Sequence, residues 1–149
     1  MLQTGLRVGE VATLRHSDII LRERAGTVRV RNGKGLKERE VPLNATARRA
    51  LRQLLEQQPT APPEALVFRS GRNAAMPARS MQNAIAALVQ RAGLARSDIA
   101  AHSLRHTFAL SWLRQHPGQL IELAQLLGHE SLDTTAVYTR LSRGPGARG

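Results

Sequence analysis

The sequence predicts a mainly α-helical domain carrying one small antiparallel β-sheet, and three observations lead there. Apolar residues recur at helical spacing along most of the chain, as with Leu51, Leu54 and Leu55 or Met81, Ile85 and Leu88. Short runs rich in valine and isoleucine, Asp18 to Leu21, Thr27 to Arg31 and Glu38 to Leu43, are confined to the first third. Turn-forming stretches such as Asn32-Gly33-Lys34-Gly35 and the Pro59 to Pro63 region separate these segments.

Each element follows in order. Thr4 to Leu14 places Leu6, Val11 and Leu14 near helical spacing, so Arg7 is expected in the first turns of a helix. The three short runs read as strands. Between the second and third, Asn32-Gly33-Lys34-Gly35 supplies residues that tolerate positive φ, which puts Lys34 on a β-hairpin tip. Asn44 can cap a helix running to about Gln57, and the Pro59 to Pro63 region ends it. Leu66 to Phe68 reads as a buried extended piece and Gly71 to Pro77 as a loop. A helix from Ala78 to Ala92 should stop at Gly93, with helices His102 to Gln115, Gln119 to Leu127 and about Asp133 to Leu141 after it.

At 149 residues the chain fits one domain that buries roughly 68–70% of the surface its unfolded form exposes. The 22 basic residues against 11 acidic ones give a net charge of +11 and a pI near 11.7, the electrostatic footprint of a nucleic-acid binder. A basic ribosomal protein would look alike at this level. Aromatics make up only 3% of residues, too few for the stacking platforms of single-strand readers, so duplex backbone contact is expected. Without cysteine there is neither a disulfide framework nor a thiolate nucleophile. No apolar run is long enough to span a bilayer and no signal-peptide pattern is present, so no membrane partner is expected and cytoplasmic residence is the default.

The chemistry-bearing residues fall in separate segments. Thr4 to Glu10 carries Arg7, His102-Ser103-Leu104-Arg105-His106 follows much later, and Leu127-Gly128-His129 precedes the only tyrosine, Tyr138. Each has an ordinary structural reading. Arg7 can be a solvated helix charge, the histidines of the second segment can bond backbone in a helical core, His129 can finish a helix end, and Tyr138 can be a core aromatic. His102 and Arg105, three apart on a helix, can face one ligand while His106 points partly elsewhere. The His102 and His106 pair lacks an intervening acid and a third ligand, so no metal is assigned. Lys34 and Lys37 are the only lysines among the 22 basic residues, leaving 20 arginines. A chain that otherwise writes positive charge as Arg has used Lys where an ammonium can give up a proton.

Taken together and in order, these segments resemble the catalytic domain of the tyrosine recombinases, the phage integrase family, with wording closest to the bacterial Xer type. Thr4-Gly5-Leu6-Arg7-Val8-Gly9-Glu10 is similar to the segment of the first catalytic arginine. Gly33-Lys34-Gly35-Leu36-Lys37-Glu38-Arg39 is similar to the lysine hairpin, which assigns the role to Lys34 and not Lys37. His102 to Ala109 matches the His-x-x-Arg box, and His129 with Tyr138 matches the final histidine and the nucleophile. The resemblance implies site-specific cleavage and rejoining of double-stranded DNA through a 3′-phosphotyrosyl intermediate, without metal or nucleotide cofactor, and self-association into a recombination synapse. It also implies a catalytic domain over residues 1–142 without the family's separate N-terminal helical clamp, followed by a disordered basic tail over 143–149.

The chemistry is consistent with those roles. Arg7 and Arg105 would stabilise charge on the phosphoryl oxygens. A phenol of pKa near 10 is about a thousandth ionised at neutral pH, so His102 would help deprotonate Tyr138. Lys34 would protonate the departing sugar oxygen and His129 would hold a phosphate oxygen. Two rivals stay open: a nicking and closing activity like that of topoisomerase IB, and a non-catalytic DNA-binding remnant.

Overall fold

The computed structural model describes residues 1–31, 38–71, 74–94, 101–128, 136–138 and 140. The hairpin tip with Lys34 and Lys37, His129, the start of the last helix and the basic tail lie outside the described residues.

The first helix, α1 (Val8–Ala12), is shorter than its apolar spacing predicts. Gly5 has φ +69 and its N–H donates to Met1 O at 2.7 Å, so the chain makes a turn before it becomes helical. Arg7 consequently sits at the N-cap in extended conformation, φ −72 and ψ 153, and not in the first turns. Its backbone N–H donates to Glu10 Oε2 at 2.8 Å, the reciprocal half of a capping box. Leu6, Val11 and Leu14 are all buried, as their spacing requires.

A 3₁₀ turn, His16–Asp18, precedes the sheet. Asp18 thus belongs to the turn, where Oδ2 accepts the Arg15 N–H at 3.0 Å. Strands β1 (Ile19–Leu21), β2 (Gly26–Val30) and β3 (Arg39–Pro42) form an antiparallel meander in that order. The register places Ile19 opposite Val28 and Val28 opposite Val41, which aligns one apolar face. Val28, Val30 and Val41 are fully buried there.

Asn44 caps α2 (Ala45–Glu56), its Oδ1 accepting the Ala47 N–H at 2.9 Å. Leu51, Leu54 and Leu55 pack on the sheet-side core. Val67 is buried and donates its N–H to Leu14 O at 2.9 Å, but of Leu66 to Phe68 only Leu66 forms a bridge, with Arg15, and the chain bends at Val67 and Phe68. Helix α3 (Ala78–Arg91) ends before Gly93 as expected. Its inward stripe, however, is Met81, Ile85 and Val89. Leu88 is 59% exposed, because a spacing of four carries the stripe from Ile85 to Val89 and turns Leu88 outward.

Helices α4 (Ala101–Gln115) and α5 (Leu120–Leu127) pack together around a second cluster of Ala109, Leu113, Leu123, Leu127 and Tyr138. Helix α5 also lies on β3, which joins the two clusters. Trp112 packs against the second cluster and stacks on His116 with ring centroids 4.3 Å apart. Residues 136–138 are helical. Among the described residues no helix is long and apolar enough to cross a membrane.

Gly5 is pinched as well as left-handed. A Cβ there would stand 2.5 Å from Phe108 Cδ1 and 2.7 Å from Leu127 Cδ2. Gly5→Ala should therefore destabilise the fold by about 2–5 kcal/mol, combining left-handed strain with overpacking. Gly9→Ala, in α1 with open space around it, should be neutral or stabilising by up to about 1 kcal/mol. Urea unfolding midpoints of the two variants measure the contrast.

Candidate active site

The site is organised from α4. Arg105 is 8% exposed, and its guanidinium donates through Nη1 to Gly5 O and through Nη2 to Leu127 O, both at 2.9 Å. Leu127 ends α5, so its carbonyl has no partner within the helix and carries the negative end of the helix dipole. One buried cation thus ties the turn before Arg7 to the end of α5. Burial, and next the neighbouring Arg7 cation, lower the Arg105 pKa to about 10, with Glu10 and Tyr138 acting in the opposite sense. At neutral pH it stays charged.

Arg7 is exposed beside α1 yet close enough to Arg105 to depress its pKa. Two guanidiniums held in mutual repulsion make a place that an anion relieves. Arg7, Arg105 and Tyr138 are accordingly brought together, since Tyr138 also interacts electrostatically with Arg105.

Tyr138 is 5% exposed, inside the second core cluster. Burial raises its pKa above the ordinary value, and the Arg105 cation offsets part of that. The ring beside it is that of His106, with centroids 5.1 Å apart and planes 60° to one another. His106 therefore lies against the nucleophile candidate, a contact that helical spacing alone does not show. The His102 ring meets His106 edge-on at 5.8 Å, so the three rings form a ladder along α4. Burial, then His102 and Arg105, lower the His106 pKa, which favours its neutral form at pH 7. His102 is exposed whereas Arg105 is buried, so the pair shares a helix side without sharing an environment.

Two further residues belong to this arrangement without having been assigned a role from sequence. Glu10 accepts the fork of Arg39 through both oxygens, from Nη1 and Nη2 at 2.9 Å each, while Arg39 Nε donates to Leu126 O at 2.8 Å. Burial pushes the Glu10 carboxyl up, but the Arg39 and Arg7 N–H hydrogen bonds and the Arg39 and Arg105 charges outweigh it, leaving the pKa below the ordinary range. Glu10 had a sequence signal, three residues past an N-cap, but Arg is not a usual capping residue. Arg39 had none among the chain's other arginines.

This arrangement of a buried tyrosine, an arginine on the His-x-x-Arg helix and an arginine before α1 is set in the fold of a tyrosine recombinase catalytic domain. The chain belongs to the phage integrase family, whose profile matches residues 1–144. Among similar proteins, the tyrosine recombinase XerC of Chlamydia caviae is 35% identical over 93% of this chain and 44% of its own length. The tyrosine recombinase XerD of Ralstonia nicotianae is 36% identical over 96% of this chain and 46% of its own. The chain thus spans less than half the length of these relatives. The crystal structure of XerA recombinase superposes with a TM-score of 0.83 at 35% identity, covering 93% of this chain and 48% of that one. XerH bound to a palindromic difH substrate in a post-cleavage complex gives 0.81 at 30% identity, covering 95% and 40%.

Tyr138 is the single tyrosine, so phenolate absorbance reports it alone. Its titration midpoint in the folded chain should lie above the ordinary value of 10.0 and return to about that value in denaturant. Because the folded pKa is the higher one, the neutral phenol contributes stability fully present below the unfolded pKa and lost as pH rises through the folded one. Ultraviolet titration with and without urea measures both.

Proposed function

We propose that this chain, over residues 1–142, is the catalytic part of a site-specific recombinase that cleaves and rejoins duplex DNA. The observation that carries the reading is the placement of Tyr138 against His106 and within electrostatic reach of Arg105, which itself senses Arg7. Family membership and the net charge of +11 support DNA as the substrate. The XerH relative is bound to a palindromic difH substrate, and self-association of this chain on duplex DNA belongs to this reading. Residence in the cytoplasm, with the DNA, accompanies this reading.

In the reaction, Tyr138 Oη attacks phosphorus as the bond from phosphorus to the 5′ oxygen breaks, leaving a 3′-phosphotyrosyl bond. The phenol proton passes to His102, and Lys34 donates a proton to the departing 5′ oxygen. Arg7 and Arg105 bear the charge that grows on the non-bridging oxygens, and His129 holds one of them. The phosphotyrosyl bond keeps the energy needed for religation. No metal enters, because the two guanidiniums supply the charge stabilisation a divalent ion gives elsewhere.

Incubation with a nicked suicide duplex should trap a covalent adduct on a denaturing gel, and peptide mapping should place it on Tyr138. Tyr138→Phe should abolish the adduct while duplex affinity stays within about threefold, since the hydroxyl contributes chemistry more than binding. An adduct on the Phe variant would remove Tyr138 as nucleophile.

Lys34→Arg retains charge without a transferable proton. It should slow cleavage by about 10²–10⁴-fold, nearly as much as Lys34→Ala, while Lys37→Arg stays mild. A substrate with a 5′-bridging sulfur leaves without protonation and should restore cleavage by Lys34→Ala. Single-turnover rates on the two substrates decide whether Lys34 is the acid.

A further inference from the structure

Arg39 stands where three segments meet. It opens β3, directly after the hairpin segment that carries Lys34. Its forked pair with Glu10 reaches the helix start that positions Arg7, because Glu10 Oε2 also accepts the Arg7 N–H at 2.8 Å. Its Nε holds Leu126 O, near the end of α5 and shortly before His129 in sequence. The Arg39 and Glu10 side chains are only 11% and 9% exposed.

A second observation shows how closely the α5 end is fitted to this guanidinium. Gly128 has φ +71, and a Cβ there would come within 2.8 Å of Arg39 Nη1 and 3.0 Å of Cζ. The backbone that leads to His129 therefore turns directly over the Arg39 plane. Stability alone does not call for such a pair, since well-packed apolar residues often serve as well as a buried ion pair. Directional placement does call for it, because the planar fork satisfies two carboxylate oxygens and a carbonyl at fixed angles, which an ammonium cannot.

Resting on the strand-cleavage reaction proposed above, we propose that Arg39 is a positioning residue that fixes the Arg7 N-cap of α1 against the end of α5. It touches no substrate atom and acts through Glu10 and the end of α5.

The full chain and its Arg39→Lys, Arg39→Gln and Glu10→Gln variants are compared on the nicked suicide duplex, with Arg15→Lys as a control in an exposed pair with Glu64. Arg39→Lys should lower the first-order rate of adduct formation by at least about tenfold with duplex affinity within about threefold. Arg15→Lys should match the unaltered chain within about twofold. Among the described residues the charged side chains acting on Glu10 are Arg39 from β3 and Arg105 from α4. Loss of the fork lets the Glu10 pKa rise, so the acid loss of activity should set in at higher pH for Arg39→Gln than for the unaltered chain. Glu10→Gln has no carboxyl to protonate, so it should be slow without that added acid loss. A folded Arg39→Lys with unchanged rate and pH profile overturns the assignment.

If the unaltered chain yields no adduct, the proposed function fails, and the coupling is read separately by amide hydrogen exchange. Arg39→Lys, or Glu10→Gln should the first not fold, should then lose protection at the Arg7 and Gly128 amides together. Loss confined to β3 would show a local contact and overturn the positioning role.

Discussion

The last carbonyls of α5 are the constraint on which the rest of the molecule depends. A helix end leaves such groups unpaired, and here Leu126 O is taken by Arg39 and Leu127 O by Arg105, from elements far apart in sequence. Two cations at the negative pole of one helix are electrostatically well placed. Their geometry then dictates the neighbours: Gly5 must offer its carbonyl to Arg105, Glu10 must meet Arg39, and Gly128 must do without a side chain. Removing either guanidinium would leave a buried carbonyl unsatisfied, at a cost of about 1–3 kcal/mol before any packing loss.

The same arrangement determines the electrostatics. Arg39 and Arg105 act on the carboxylate of Glu10 while Arg7 acts on Arg105, an excess of positive charge in a partly desolvated place. Repulsion between Arg7 and Arg105 is tolerated because α5 carbonyls and Glu10 hold the buried partner. An incoming anion would complete the neutralisation, and Tyr138 feels the same Arg105 charge even though burial raises its pKa.

Much of this was legible in the residues. The meander, the Asn44 cap, the Gly93 stop and the α4 and α5 helices follow from local chemistry, and local chemistry is what a sequence displays. Arg7, His102, Arg105 and Tyr138 were picked out by motif, and the fold brings them to one region. Misreadings came where tertiary contact decides. The turn at Gly5, held to Met1 O and pressed by Phe108, shortened α1 and moved Arg7 to its cap. Leu88 and Val89 exchanged roles because a helix face is settled by what packs on it. Spacing along α4 does not show that the Tyr138 ring comes to rest beside His106. Arg39 stayed hidden because its partners, Glu10 and Leu126, are distant in the chain.

The second core cluster also gives the molecule a built-in optical probe. Tyr138 and Trp112 are the only tyrosine and the only tryptophan, and both pack on that cluster. Excitation absorbed by the one can pass to the other by resonance transfer, whose efficiency falls steeply with separation. Any displacement of the phenol would thus be written into the emission of Trp112, whose indole carries His116 stacked on it.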